Sequence, residues 1–315
     1  MSNSKSKLEQ SFPHLRRNRT TWEIMLDVII ALLPACIAAV WYFGLRALWL
    51  LLTITVVCAV TEELCLLVRR QVVFDGSAVV TGILLALSLP AGTPLWAGAV
   101  AGVFAIAVIK QLFGGIGHNL FNPAMAGRAL LMVAFPQTLG GYTMPDAVSS
   151  ATPLGMIGEE GLLPMLFGRE NGSMGETSAL LLILGGVYLY FRGVIRLRLP
   201  MTCLGCFAAV IWIFGGAVPF AGDTVAHLLS GGIMIGAFFM VTDFTTKPTT
   251  PAGEVLFAAG VGILSAVLRL WGPWPEGVCF AILLMNLAAP LLEYLTRRTV
   301  YGYKRGGAAV KSIVR

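Results

Sequence analysis

Asp75-Gly-Ser-Ala-Val-Val-Thr-Gly-Ile-Leu-Leu-Ala-Leu-Ser-Leu-Pro90 is an apolar, helix-forming run that proline stops early. It falls short of the ~20 apolar residues that a membrane-crossing helix needs. Ser230-Gly-Gly-Ile-Met-Ile-Gly-Ala-Phe-Phe-Met-Val-Thr-Asp243 is its counterpart, ending in a polar Thr-Asp with Pro248 and Pro251 beyond. Each short run precedes a Gly/Ala-rich span, Pro94 to Lys110 in one case and Pro251 to Arg269 in the other. Each then reaches a further span with Asn and Pro close together, Asn122-Pro123 and Asn286 with Pro290. The chain therefore reads as two similar halves. With five spans in each, an odd number, the halves must be inverted relative to one another, and such repeats place a binding site near their pseudo-two-fold axis. Gly/Ala-rich membrane sequences also resemble one another by composition alone, so the repeat is an expectation for the structure to meet.

Composition supports the membrane reading. Only 12% of the 315 residues are charged and 57% are hydrophobic, and mean hydropathy is +0.81, whereas a soluble domain carries roughly 25% charged residues. Hydropathy and breakers predict an all-α polytopic protein of about ten transmembrane helices in two inverted five-helix repeats, an architecture like that of urea transporters. The spans fall near 24–44, 47–68, 77–89, 95–113 and 119–136, then 178–191, 200–216, 225–242, 252–271 and 276–295. No small-residue cleavage site follows the first span, which reads as retained. The organisation is an amino-terminal arm (1–22), a first repeat (23–136), a polar loop (137–177), a second repeat (178–296) and a basic tail (297–315).

Charge placement orients this map. With the amino terminus inside, 18 of the 22 Lys and Arg fall on cytoplasmic segments, Lys110 among them, leaving only Arg46, Arg128, Arg169 and Arg269 elsewhere. Such a bias is the positive-inside rule. It puts both termini in the cytoplasm and the 137–177 loop outside, and it explains the net charge of +6 without nucleic acid as a partner; the partner is the lipid bilayer.

The six cysteines sit in apolar stretches, as small buried hydrophobes do. Cys203-Leu-Gly-Cys206 has CxxC spacing but neither a second pair nor a nearby His, so helix packing is the simpler account. His118 and His227 do not cluster with other metal ligands at the spacing a metal needs. No acid, base and nucleophile set for bond-breaking catalysis is evident.

The outside loop holds the chemistry-bearing stretch, Asp146-Ala-Val-Ser-Ser-Ala-Thr-Pro-Leu154. Asp146, two residues, then Ser149-Ser150-Ala151-Thr152 resembles the signature read by the extracytoplasmic flavin transferase, Asp-x-x-(Ser/Thr)-Gly-Ala-Thr, with Ser150 where Gly is usual. A transferase needs an accessible hydroxyl in irregular chain, and Pro153 biases Thr152 towards extended backbone. The Thr152 hydroxyl would attack the FMN-proximal phosphorus of FAD, forming a phosphoester and releasing AMP.

With these residues, the chain resembles the family of the D subunit of the Rnf complex (ferredoxin:NAD oxidoreductase) and, more distantly, the B subunit of the sodium-pumping NADH:quinone reductase. The likeness runs over essentially the full length. It includes Ser11-Phe-Pro-His-Leu15, Asp27-Val-Ile-Ile-Ala-Leu-Leu-Pro34, Asp75 to Gly82, Gly114-Gly-Ile-Gly-His-Asn-Leu-Phe-Asn-Pro-Ala124, the loop motif, Met240-Val-Thr-Asp243 and Pro275-Glu-Gly-Val278. It implies FMN bound covalently to Thr152 as an electron carrier at the outer face of a bacterial cytoplasmic (inner) membrane. The partners it implies are the other Rnf subunits, A, B, C, E and G, which hold iron–sulfur clusters, a second covalent FMN (on the G subunit) and the NAD site. The complex would couple ferredoxin oxidation and NAD reduction to export of Na⁺ or H⁺, and the chain would not be active alone.

The Gly114-rich turn could hold phosphate at a helix start, but on the cytoplasmic side it does not reach Thr152. In the related reductase subunit an Asn pair in this motif lies near noncovalent riboflavin. By that resemblance, Asn119, Asn122 and Asp243 are candidate ligands for ribityl hydroxyls; the plainer reading is that Asn caps the helix and Asp243 caps backbone freed at a break. Glu62 and Glu63, about two turns from Arg69 and Arg70, are expected to pair near the interface, with a cation path as the alternative. Arg128, alone in its span, is a candidate partner for an isoalloxazine or an acidic neighbour. Two further functions compete with the redox reading: the quinone-reductase subunit itself, and a urea-transporter-like channel, which would have no use for Asp-x-x-Ser-Ser-Ala-Thr outside.

Overall fold

In the computed structural model, residues 20–70, 75–139, 172–175, 178–216, 218–272 and 277–297 are described. Thr152 and its motif, from Asp146 through Ser149, Ser150 and Ala151, lie outside them. Among the described residues the regular structure is helix, with turns between and no strand.

Helix α1 (Thr21–Phe43) starts at Thr20, whose hydroxyl accepts from the Glu23 amide at 3.3 Å, and Gly44 at φ 70° turns the chain straight into α2 (Leu45–Val68). The quoted short run is α3 (Ser77–Ser88), buried on nearly every side. Helix α4 (Leu95–Val103) continues as a π-helical stretch, Phe104–Gln111. A turn with Gly114, Gly115 and Gly117 at positive φ, which glycine alone adopts freely, leads to α5 (Pro123–Ala134). The second half opens with α6 (Ala179–Phe191) and α7 (Arg198–Phe214). It goes on through the short α8 (Thr224–Leu229) and α9, which is Ile233–Ile235 continued by a π-helical stretch, Gly236–Met240. It closes with α10 (Pro251–Trp271) and α11 (Val278–Thr296).

Four of these helices, α1, α2, α10 and α11, are long and apolar enough to cross a bilayer, and the protein is a multi-pass membrane protein. Exposed Trp, Leu, Val and Ile side chains, such as Ile37, Trp41, Val56 and Leu287, suit a lipid-facing exterior. Helix occurs at each of the ten predicted segments, with two corrections. The eighth is broken at Ser230-Gly231-Gly232, where Gly231 has φ 78°. The fifth starts at Pro123, four residues later than its predicted start, so Asn119 is not helical.

Small residues decide the packing. Helix α2 packs on α3 and α4, α7 on α10, α10 on α11, α1 on α6 and α5 on α11. Where α10 crosses α7, a Cβ on Gly262 would stand 2.2 Å from the Cys203 carbonyl oxygen. Cys203 of the CxxC pair is thus part of a helix crossing, and both it and Cys206 are free thiols.

Helix α3 ends inside the bundle, so its last carbonyls need partners from elsewhere. They find them in the segment just before α6: the Met174 amide donates to the Leu89 oxygen at 3.0 Å and the Gly175 amide to the Leu87 oxygen at 2.6 Å. The polar link between the halves is hooked onto the short helix at this point.

Candidate functional site

The main cavity of the bundle gathers helix ends. The amino-terminal half of α3 (Ser77, Thr81), the end of α4 (Lys110), the α5 approach (Asn119, Asn122) and the segment after α9 (Thr242, Asp243) all line it. Its enclosed volume is about 90 Å³. Ligand sites are largely apolar with a few placed polar groups, and Met25, Val28, Leu84, Leu189 and Phe239 supply the apolar part here.

Asn119, Asn122 and Asp243 therefore meet at one cavity, from two separate pieces of chain. The glycine turn, not a helix, brings Asn119 in. Asn122 caps α5 by accepting from the Met125 amide at 3.2 Å, which leaves its NH₂ group for other work. Asn119 is buried and its Oδ1 has no hydrogen-bond partner among the described residues. A buried amide oxygen left bare costs about 1–3 kcal/mol, so this atom favours a donor from a ligand. Asp243 closes its own turn: Oδ1 accepts from the Thr245 amide at 3.0 Å and hydroxyl at 2.9 Å, and Oδ2 from Thr246 at 3.3 Å. The capping reading of Asn122 and Asp243 thus holds, and each still faces the cavity.

Beside this wall lies a charge cluster that hydropathy does not show. Lys110 is 1% exposed and Glu62 2%. The Lys110 ammonium donates to Glu62 Oε1 and to Ser77 Oγ, and stands 4.0 Å from Asp75 Oδ1. Gln111 Nε2 donates to the same Glu62 oxygen at 3.1 Å. Ser77 in turn holds Asp75 Oδ1 through its amide at 2.9 Å and through its hydroxyl. The wide π-turn that ends α4 presents Lys110 and Gln111 together to α2; such turns recur at functional sites. Two expectations are corrected here. Glu62 pairs with Lys110 of α4, not with Arg69 or Arg70, and Arg69 donates instead to the Gln111 carbonyl. Lys110, expected on a cytoplasmic segment, is buried inside the protein. Its signal in the sequence is a lysine at the end of the fourth span and a pair of glutamates in the second.

Arg128 does not line the main cavity. It borders a separate void of about 10 Å³ with Ser88, Met125, Gly232 and Cys279, too small for a three-ring system. Arg269 caps the broken helix, donating to the carbonyls of His227 and, at 3.1 Å, Ser230, with Phe207 beneath it at 4.9 Å. Elsewhere, Asp27 is held by Arg192 at 2.9 Å, and Glu254 by Arg198 and Lys247. These pairs tie helices together away from the cavity. No group of three or more His, Cys, Asp or Glu suited to a metal ion occurs among the described residues.

Comparison with known proteins gives a consistent result. The family model described as NQR2, RnfD, RnfE matches residues 8–302. The D subunit of the proton-translocating ferredoxin:NAD(+) oxidoreductase complex of Clostridium ljungdahlii is 41% identical over 317 residues, covering 94% of this chain and 96% of its own. The D subunit of the Na(+)-translocating ferredoxin:NAD(+) oxidoreductase complex of Acetobacterium woodii is 44% identical over 305 residues, covering 93% and 94%. The D subunit of the ion-translocating oxidoreductase complex of Halorhodospira halophila is 36% identical over 345 residues, covering 95% and 97%.

Proposed function

The chain belongs to the NQR2, RnfD, RnfE family, and from that premise we propose that it is the membrane electron-transfer D subunit of an Rnf-type complex. That complex oxidises ferredoxin, reduces NAD and exports Na⁺ or H⁺. The carrying observation is near-full-length identity of 41% and 44% to subunits named for ferredoxin and NAD; neither name mentions quinone.

In this reading FMN is joined by a phosphoester to Thr152, installed by a flavin transferase on the outer side of the bacterial inner membrane, with both termini inside. The loop motif and the distribution of Lys and Arg support it. The ten segments form two inverted five-helix repeats of the urea-transporter type. Packing supports that arrangement: α2 on α4 is matched by α7 on α10, and α3 on α5 by α9 on α11. The halves touch through the counterparts α1 with α6 and α5 with α11, as a two-fold axis between them requires. The other Rnf subunits, the flavin-bearing G subunit among them, are the electron partners.

The main cavity takes a second, noncovalent flavin, riboflavin, with Asn119, Asn122 and Asp243 towards its ribityl hydroxyls. The bare Asn119 oxygen and the Asn122 NH₂, which the helix cap does not use, suit hydroxyl donors and acceptors. A flavin supplies one- and two-electron chemistry, and the protein supplies position and electrostatics.

Deleting the gene from a host that makes the complex abolishes ferredoxin-dependent NAD reduction by its membranes and the linked Na⁺ or H⁺ uptake by inverted vesicles. A plasmid copy restores both; unchanged activity in the deletion strain refutes the assignment. For the cavity, Asn122→Ser keeps an oxygen cap for α5 but removes the amide. One or two lost hydrogen bonds, about 0.5–1.5 kcal/mol each, weaken binding about tenfold. Free riboflavin released by acid from the purified complex should fall accordingly, and wild-type recovery removes Asn122 as a ligand.

A further inference from the structure

An ionisable group held at depth in a membrane protein is a functional hypothesis by default, and a buried ion pair is weak evidence of stabilisation, because desolvation offsets the attraction. The Lys110–Glu62 pair therefore calls for a reason. Lys110 and its partner Ser77 line the cavity, whereas Glu62 does not. The cation of the pair is thus the member nearer to any bound group. The cavity is polarised in the same sense by its helices. The amino-terminal ends of α3 and α5 open onto it at Ser77 and at Asn122-Pro123, and the carboxy-terminal end of α9 reaches it at Thr242-Asp243. Amino-terminal ends carry partial positive charge and carboxy-terminal ends partial negative charge. An occupant with one electron-rich edge and a tail of hydroxyl donors has one favoured orientation, its edge towards Lys110 and its tail towards Asp243. Two buried acceptors behind the pair, Glu62 Oε2 and Gln111 Oε1, have no hydrogen-bond partner among the described residues, so the carboxylate is compensated at Oε1 alone, by Lys110 and by Gln111 Nε2.

We propose that Lys110 makes this cavity hold its flavin more tightly reduced than oxidised, by placing an ammonium at the ring edge where negative charge accumulates, with Glu62 setting how much of that charge is felt. The inference rests on the flavin reading of the cavity given above. A ring that has taken two electrons from a partner subunit's iron–sulfur or flavin centre and one proton from water carries one negative charge, spread over N1 and the neighbouring carbonyl oxygen. Charge placed near that locus is one of the means by which a protein tunes a flavin. Lys110 acts as a positioning and tuning residue; it takes no part in bond breaking.

The test uses the intact complex, freed of noncovalent flavin and dialysed anaerobically against riboflavin with or without dithionite. Covalent FMN stays with the protein and does not interfere with counting free flavin. The readout is the ratio of oxidised to reduced dissociation constants. Lys110→Met lowers that ratio tenfold or more, Lys110→Arg keeps most of it, and Glu62→Gln raises it. A merely structural lysine would weaken both forms alike, and an unchanged ratio in Lys110→Met overturns the proposal. Should that variant not accumulate, a Glu62→Gln ratio at or below wild type overturns it equally. A wild-type complex that binds no riboflavin in either state defeats the flavin reading itself, a result distinct from flavin bound with no redox preference.

Discussion

Thr152→Ala yields a chain that inserts into the membrane and carries no covalent flavin. The proposed phosphoester has a single attachment atom, the Thr152 side-chain oxygen, and alanine removes it while leaving Asp146, Ser149, Ser150 and Ala151 in place for the transferase to recognise. The loss is all or nothing, which separates it from a folding defect that lowers the amount of chain. In a denaturing gel under ultraviolet light the wild-type band fluoresces and the variant band, loaded to equal protein, is dark. Intact mass gives the same answer: the wild type carries the mass of an FMN phosphoester and the variant only its polypeptide. Reduced ferredoxin then no longer drives NAD reduction in membranes holding the variant. Fluorescence retained by Thr152→Ala would move the attachment to another hydroxyl, with Ser149 and Ser150 as the neighbours to replace next. An unmodified wild-type chain from a host that expresses the transferase would end the covalent-flavin account.

Gly262→Leu is expected to remove the protein from the membrane almost completely. The position lies at the crossing of α10 with α7, and even a Cβ would meet the Cys203 carbonyl oxygen at 2.2 Å, with the Phe207 nitrogen at 3.1 Å. Those are main-chain atoms, so no rotamer change relieves the clash and the helices must separate. Helix association in lipid depends on close van der Waals packing of small residues, and overpacking a tight core costs typically about 1–3 kcal/mol for a few added methylenes. A four-carbon side chain against backbone lies at or beyond that limit, comparable with the ~5–15 kcal/mol that holds a typical fold together. Immunoblots of membranes should show about a tenth of wild-type chain or less, with Gly262→Ala intermediate. The control is Gly205→Leu on α7 itself, where a Cβ finds nothing within 4 Å and accumulation is unchanged. Equal amounts of Gly262→Leu and Gly205→Leu would refute the crossing.

Much of the fold was legible because a helix in lipid announces itself by composition. The predicted 47–68 and 252–271 compare with Leu45–Val68 and Pro251–Trp271. The break at Ser230-Gly231-Gly232 was missed because a hydropathy average passes smoothly across two glycines, although Gly231 at positive φ ends the helix. Asn119 was assigned to a helix because the apolar pattern resumes there, while three glycines keep the chain irregular as far as Asn122. The cavity residues were legible only as types. Asn119, Asn122 and Asp243 are singled out by the family resemblance, and their convergence on one cavity needs the tertiary packing. The Lys110–Glu62 pair was the largest omission. A charge count assigns any lysine at a span's end to the water, and only the meeting of α2, α3 and α4, whose partners lie 33 to 49 residues apart, shows that it points inward. The loop motif needed no structure to be read, since its meaning lies in residue order.

The hook of Met174 and Gly175 onto the end of α3 bears on the order in which the molecule is made. When the ribosome has delivered only the first half, the Leu87 and Leu89 carbonyls face a hydrocarbon interior with no donor, and each such group costs several kcal/mol. Their partners emerge only after the whole intervening link has been translated. The first five helices are consequently not a self-sufficient folding unit, and two half-chains expressed separately should recover a native bundle only if residues 172–175 travel with the first.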